Sequence, residues 1–238
     1  MRSFITLFKT EVKLSLRGGD MLFFGVLFPV GVMLLVGFTS SAEAVRLGFA
    51  GIATIGIAAS GLMGIPLTVS SYRHEKILKR FKVTPASPLL LLSAVTLLQA
   101  LFAILSGTAV YAIARLVFGV DLGPSVPRFA LSFLAVVVSI YGIGFLVASL
   151  APNMKTANLV CSILYFPALM LSGATVPYEI MPRPLQLFAE IFPLTQGIMI
   201  LKGAVTGSDA AADAGRFVVL GAVAVLSYLV SLKFFRWE

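Results

Sequence analysis

Charged residues are sparse along the chain, and the gaps between them carry the main signal. Met21 to Ala42 is uncharged between Asp20 and Glu43, and Leu47 to Tyr72 is uncharged between Arg46 and Arg73. Val83 to Ala114, Phe129 to Met154 and Thr156 to Tyr178 are three more such runs. A helix needs about 20 apolar residues to cross the hydrocarbon core. Each run therefore predicts one span and none predicts two, since Pro85 and Pro88 trim the third. Phe217 to Leu232 is shorter, but Arg216 and Lys233 can snorkel from its ends and Trp237 suits the interface. The pattern predicts six spans, near residues 21–41, 47–71, 88–114, 129–150, 156–175 and 216–236.

Three further segments are apolar in part but cannot span. Residues 2–17 read as an amphipathic helix lying in the interface: Phe4, Leu7, Phe8 and Leu14 recur at helical spacing, with Lys9, Lys13 and Arg17 mostly on another face. Gly18-Gly19 ends it. Residues 73–83 predict a short basic helix ended by Pro85, with Ile77, Leu78 and Phe81 on one side and Glu75 able to pair with Lys79. Apolar Ile77 and Phe81 exposed on a charged turn predict a docking surface for another protein. Residues 177–205 hold Pro177, Pro182, Pro184 and Pro193 among short apolar pieces, which predicts re-entrant or interfacial helices. One poor span through Leu185 to Val205 is the alternative. It would bury Glu190 in lipid, at a cost.

Within the spans, Gly56, Ser60, Gly64 and Thr68 form a small-residue stripe that lets another helix approach. Packing inside the same chain is the commoner use of such a stripe. Pro66 and Pro167 should kink or loosen spans 2 and 5. Gln99 and Asn158 are the strongest polar groups at membrane depth, each expected to bond a neighbouring helix.

Composition agrees with a membrane protein: 59% of the 238 residues are hydrophobic, 12% are charged, and the mean hydropathy is +1.02. The net charge of +8 sets orientation. With the N-terminus cytoplasmic, Arg2, Lys9, Lys13, Arg17, Arg73, Lys76, Lys79, Arg80, Lys82, Lys155, Lys233 and Arg236 all fall inside, twelve of the 18 basic residues. The other six fall outside, balanced by six carboxylates, so the positive excess lies on the cytoplasmic side with both termini. The basic lead and apolar run are both too long for a cleaved signal peptide. One cysteine and one histidine exclude a disulfide framework and a Cys/His zinc site within one chain. No G-x-x-x-x-G-K-[ST], G-x-S-x-G or H-E-x-x-H occurs. No carboxylate sits at mid-span, which argues against a carboxylate-relay transporter or an acidic-ring channel.

The order of these parts resembles the ATP-binding-cassette type-2 permease family, the membrane subunits of bacterial exporters. The sharpest matches are Glu75 through Pro85 and Ser172 through Thr195, including Ser172-Gly173, Pro182-x-Pro184 and Phe192-Pro193-Leu194-Thr195. The family usually has a glycine after the acidic residue of the basic loop, where this chain has Lys76-Ile77.

The resemblance implies an all-α integral membrane fold of the type V exporter kind. It implies a permease in the bacterial plasma membrane that exports an amphipathic or hydrophobic substrate, such as an antibiotic, drug or lipid-like compound. The chain itself would bind no cofactor; two separate ATPase subunits would carry ATP and magnesium. A second permease copy, identical or similar, would complete the assembly, with membrane lipids around it and no nucleic acid involved. Arg73, Glu75, Lys76, Ile77, Lys79, Arg80 and Phe81 would couple to the ATPase. Gly56, Ser60, Gly64, Thr68, Asn158 and Phe166 would line the dimer seam or the translocation path. Pro177, Pro182, Pro184 and Pro193 would shape an external cap. A secondary transporter or channel without an ATPase is the alternative function.

Overall fold

The computed structural model describes residues 2–82, 88–121, 126–176, 178–208 and 210–235. Thr84, Pro85, Pro177, Asp209, Arg236, Trp237 and Glu238 lie outside the described residues. Among the described residues the chain is helical, without strands: α1 Arg2–Gly18, α2 Asp20–Thr39, α3 Ala42–His74, α4 Ile77–Lys82, α5 Pro88–Leu116, α6 Val126–Leu150, α7 Met154–Leu171, α8 Arg183–Ala189, α9 Pro193–Thr206 and α10 Ala210–Phe234. Six of these, α2, α3, α5, α6, α7 and α10, are long and apolar enough to cross a membrane. The protein is an all-α integral membrane protein.

Local chemistry sets the boundaries. Ser41 caps α3, its hydroxyl accepting the Ala44 N–H at 3.3 Å, so that helix starts five residues before the expected span. The Asn153 side chain accepts the Thr156 N–H at 2.9 Å and starts α7. That helix runs through Pro167 and stops at Leu171, earlier than the expected 175, because Gly173 takes φ +94°. Two helices contain a widened turn: Phe23–Leu27 in α2, just before Pro29, and Ala59–Gly64 in α3, just before Pro66. A proline cannot donate to the carbonyl four residues back and its ring crowds that oxygen, so the preceding turn opens. Pro66 thus loosens span 2 as expected, whereas Pro167 leaves α7 helical.

α3 is the central element, with every residue from Phe49 to Leu62 buried. It packs against α5, α6 and α9, and α6 in turn packs along α10. The outer faces of α2 and α10 carry exposed Leu35, Phe38, Val218, Leu226, Leu229 and Leu232, as expected of helices that meet lipid. α8 and α9 meet at a bend of 99°, with Glu190 exposed in the turn between them. The pair does not run straight, and it sits at the end of the bundle opposite α1 and α4.

Candidate functional site

The chain leaves α3 at His74 and re-enters helix at Ile77. Lys76 makes the corner with φ +59°, a left-handed conformation that costs a non-glycine residue about 1–2 kcal/mol. This is the place where the resembled family usually has glycine. The expected single helix over 73–83 is therefore two pieces, and Glu75 and Lys79 do not share a helix face. Glu75 Oε1 instead accepts the Ser71 hydroxyl at 3.0 Å.

The apolar side of α4 faces down. Leu78 is fully buried, and Ile77 and Phe81 are half-buried against the core rather than exposed. A six-residue helix is too short to stand alone, so its apolar positions anchor it to the bundle. What α4 presents outward is polar: Lys79 and Arg80 on the helix, with His74, Glu75 and Lys76 beside them.

Arg73 separates from this group. It is 8% exposed, and its guanidinium donates to the carbonyls of Ala151 and Ala148, both at 2.8 Å. The Phe235 ring lies 5.8 Å away on the guanidinium. Ala148 lies in the last turn of α6 and Ala151 directly follows it, at a helix end where four acceptors lack helical partners. Arg73 therefore clamps the end of α3 to the end of α6 and is unavailable to a docking partner.

At the same end, α1 docks along α5 and touches the end of α3 through Tyr72. Phe8 and Val12 pack half-buried against the small cluster of Val26, Leu98 and Phe102, while Lys9, Lys13 and Arg17 stay exposed. Phe4 is half-buried and stacks on Phe8. Glu11 is buried, and the Tyr72 hydroxyl reaches both of its oxygens at 2.7 Å. Burial pushes the Glu11 carboxyl above its ordinary value, and the Tyr72 bond offsets only part of that.

A groove of about 600 Å³ opens under α1. Its walls come from α1, α2, α3, α5 and α7, including Glu11, Asp20, Phe24, Met63, Gly64, Thr68, Leu98, Gln99, Tyr165 and Phe166. The widened turn of α3 forms part of one wall. Leu14, Phe24 and Phe166 are about half exposed at its rim, so the groove is open. Gln99 and Tyr165 line it, and the Gln99 side-chain oxygen and the Tyr165 hydroxyl are buried without hydrogen-bond partners.

The small-residue stripe divides. Gly56 and Ser60 are buried inside the chain. A Cβ at Gly56 would strike Ser106 and the Gly25 carbonyl oxygen, and Ser60 shares a 2.9 Å hydrogen bond with Tyr141. Both pack within the chain. Gly64 and Thr68 lie on the groove. Gln99 does not bond a neighbouring helix through its oxygen, and Asn158 is exposed with Leu159, Ile163 and Phe166 on the outer face of α7.

At the opposite end, sequence reasoning counted charges but missed their pairing. Asp213, 2% exposed, meets Arg128 at 2.8 Å and Arg216 at 3.1 Å. Arg128 also donates to the Ser208 carbonyl just past α9, which ties α6, α9 and α10 together. Arg128 and Asp213 are 85 residues apart, so spacing gives no cue to that pair. Pro182 and Pro184 flank the start of α8, Pro193 opens α9, and the Tyr178 hydroxyl donates to Glu190 at 2.6 Å.

A family model described as "ABC-2 type transporter" matches residues 2–205. No curated protein matches the chain. The match takes in α1 through nearly all of α9, and the chain belongs to the ABC-2 type transporter family, as the membrane-embedded permease component of an ABC transporter.

Proposed function

We propose that the chain is the permease subunit of an ABC exporter in a bacterial plasma membrane, with both termini cytoplasmic. It moves an amphipathic or hydrophobic molecule outward, of the kind represented by antibiotics and lipid-like compounds. Two ATPase subunits supply ATP and magnesium, and two permease copies form the pathway. The exposed outer face of α7, with Asn158 and Phe166, is the surface offered to the second copy.

The observation that carries this reading is the form of α4. Its charged side points outward while Leu78 and the adjacent Arg73 clamp fix its other side to the bundle. A load applied to Lys79 and Arg80 then passes into α3 and α6 instead of bending a loop. ATP-driven closure of the ATPases presses α4 and tilts those spans. α1, seated on Glu11 and Tyr72, moves with them. The α8–α9 pair, held by the Asp213 ion pairs, caps the outer exit.

Charge reversal of Lys79 and Arg80 to Glu tests this. With the ATPase encoded beside the permease, the double variant should insert and run as a single species. It should also lose about tenfold or more in co-purified ATPase and in coupled hydrolysis. Undiminished co-purification and hydrolysis would contradict the coupling role of α4.

A further inference from the structure

α1 has a face that the coupling scheme leaves unused. Lys9, Lys13 and Arg17 follow at four-residue intervals, so they form one row down the helix, about 12 Å long. All three are exposed, and none makes an ion pair among the described residues. The carboxylate of this helix, Glu11, lies on the opposite side, buried and held by Tyr72. The row therefore has no counter-charge on its own helix.

Apolar side chains border the row. Ile5 and Leu16 are each about half exposed. They stand eleven residues apart, which is three turns and about 20° more, so both project to one side, next to Lys9. Side chains of this size are unfavourable in water and favourable at the acyl boundary of a bilayer.

The depth of α1 points to the partner. Phe8 and Val12 rest on the cluster of Val26 from α2 and Leu98 and Phe102 from α5. Those three residues lie within the membrane-crossing helices. Gly19, at φ +74°, joins α1 to α2 in a tight corner. α1 is thereby held at the level of the bilayer, where an outward row of cations meets headgroups before it meets a soluble protein. Unpaired cations beside apolar side chains are complementary to phosphates above acyl chains.

We infer that this face of α1 binds anionic phospholipid headgroups. Lys9, Lys13 and Arg17 donate to phosphate oxygens, and Ile5 and Leu16 enter the acyl boundary. The leaflet is the inner one, and for that point alone the inference rests on the permease reading. α1 is then held from two sides, by the bundle through Phe8, Val12 and Glu11 and by lipid charge through the basic row.

The test uses the chain in nanodiscs with no ATPase present. Ile5→Trp with Trp237→Phe leaves a single tryptophan, on this face. In low salt, brominated phosphatidylglycerol should quench it at least threefold more effectively than brominated phosphatidylcholine at equal mole fraction. In 1 M salt the ratio should fall towards one, because the screening length shrinks to about 3 Å. Lys9→Gln, Lys13→Gln and Arg17→Gln together should bring the ratio to about one, whereas Lys79→Gln with Arg80→Gln should leave it unchanged. Equal quenching by the two lipids in low salt, or a preference that survives the three α1 changes, would overturn the proposal. So would a preference lost equally in the α4 variant, which would make it a property of total charge. Equal quenching together with loss of co-purified ATPase from the triple α1 variant would assign the row to the ATPase instead. Failure in the discs is distinct from failure of the Lys79 and Arg80 co-purification that tests the permease reading.

Discussion

At the residue scale, Arg73 is the side chain whose role changes most between sequence and structure. By sequence it is one more positive charge in a basic turn. In the fold it closes the carbonyl end of α6, 75 and 78 residues away. Periodicity assigns a residue to a helix face but cannot say which face another helix end will meet. Hydrogen bonds from a charged donor contribute about 1.5–3 kcal/mol each. Arg73→Ala should therefore lower thermal stability in detergent by an amount equivalent to about 2–4 kcal/mol. Arg73→Lys, with a single-point donor, should recover only part of it. A denaturation series on the three proteins checks the order. Pro66, by contrast, was legible: a proline inside a helix has one chemical consequence, and the widened turn before it is that consequence.

At the element scale, the six spans were readable because twenty-residue apolar runs between charges have few other physical meanings. The short elements were readable as segments but not as surfaces. Ile77 and Phe81 were expected to face a partner, yet a six-residue helix has no stability to spare and turns its apolar side to the core. Likewise Gly56 and Ser60 mark a close approach in sequence, and only packing reveals that the approach is to Ser106 and Tyr141 of the same chain.

α1 supplies a prediction at this scale. Its buried carboxylic acid, Glu11, has a carboxyl raised from the ordinary value of 4.5. The docked helix therefore holds the proton more tightly than the free one. The stabilising contribution is complete below that ordinary value and is lost as pH rises through the raised one. Relative to Glu11→Gln, the wild-type chain should show α1 increasingly open to limited proteolysis as pH climbs through that window. An identical pH response in both proteins would remove Glu11 from the docking of α1.

At the scale of the whole molecule, the chain is asymmetric from end to end. One end holds an amphipathic helix, a short clamped helix with an outward basic side, and a groove lined by Glu11, Asp20 and mostly apolar side chains. The other holds a bent helical pair locked by buried Asp213. This polarity was partly legible as a charge count, with the positive excess on one side. The groove was not legible, since Glu11, Gln99 and Tyr165 come from three helices far apart in sequence and share no local pattern. The central claim is that ATP-driven force enters at α4. Cys161 is buried and is the native cysteine of the chain, so single introduced cysteines report cleanly. The decisive measurement is cross-linking of Lys79→Cys to the ATPase in the assembled complex, compared with Thr206→Cys at the opposite end. The account predicts an efficient cross-link at Lys79 that changes when ATP is added, and none at Thr206. A cross-link at Thr206 with none at Lys79 would contradict it.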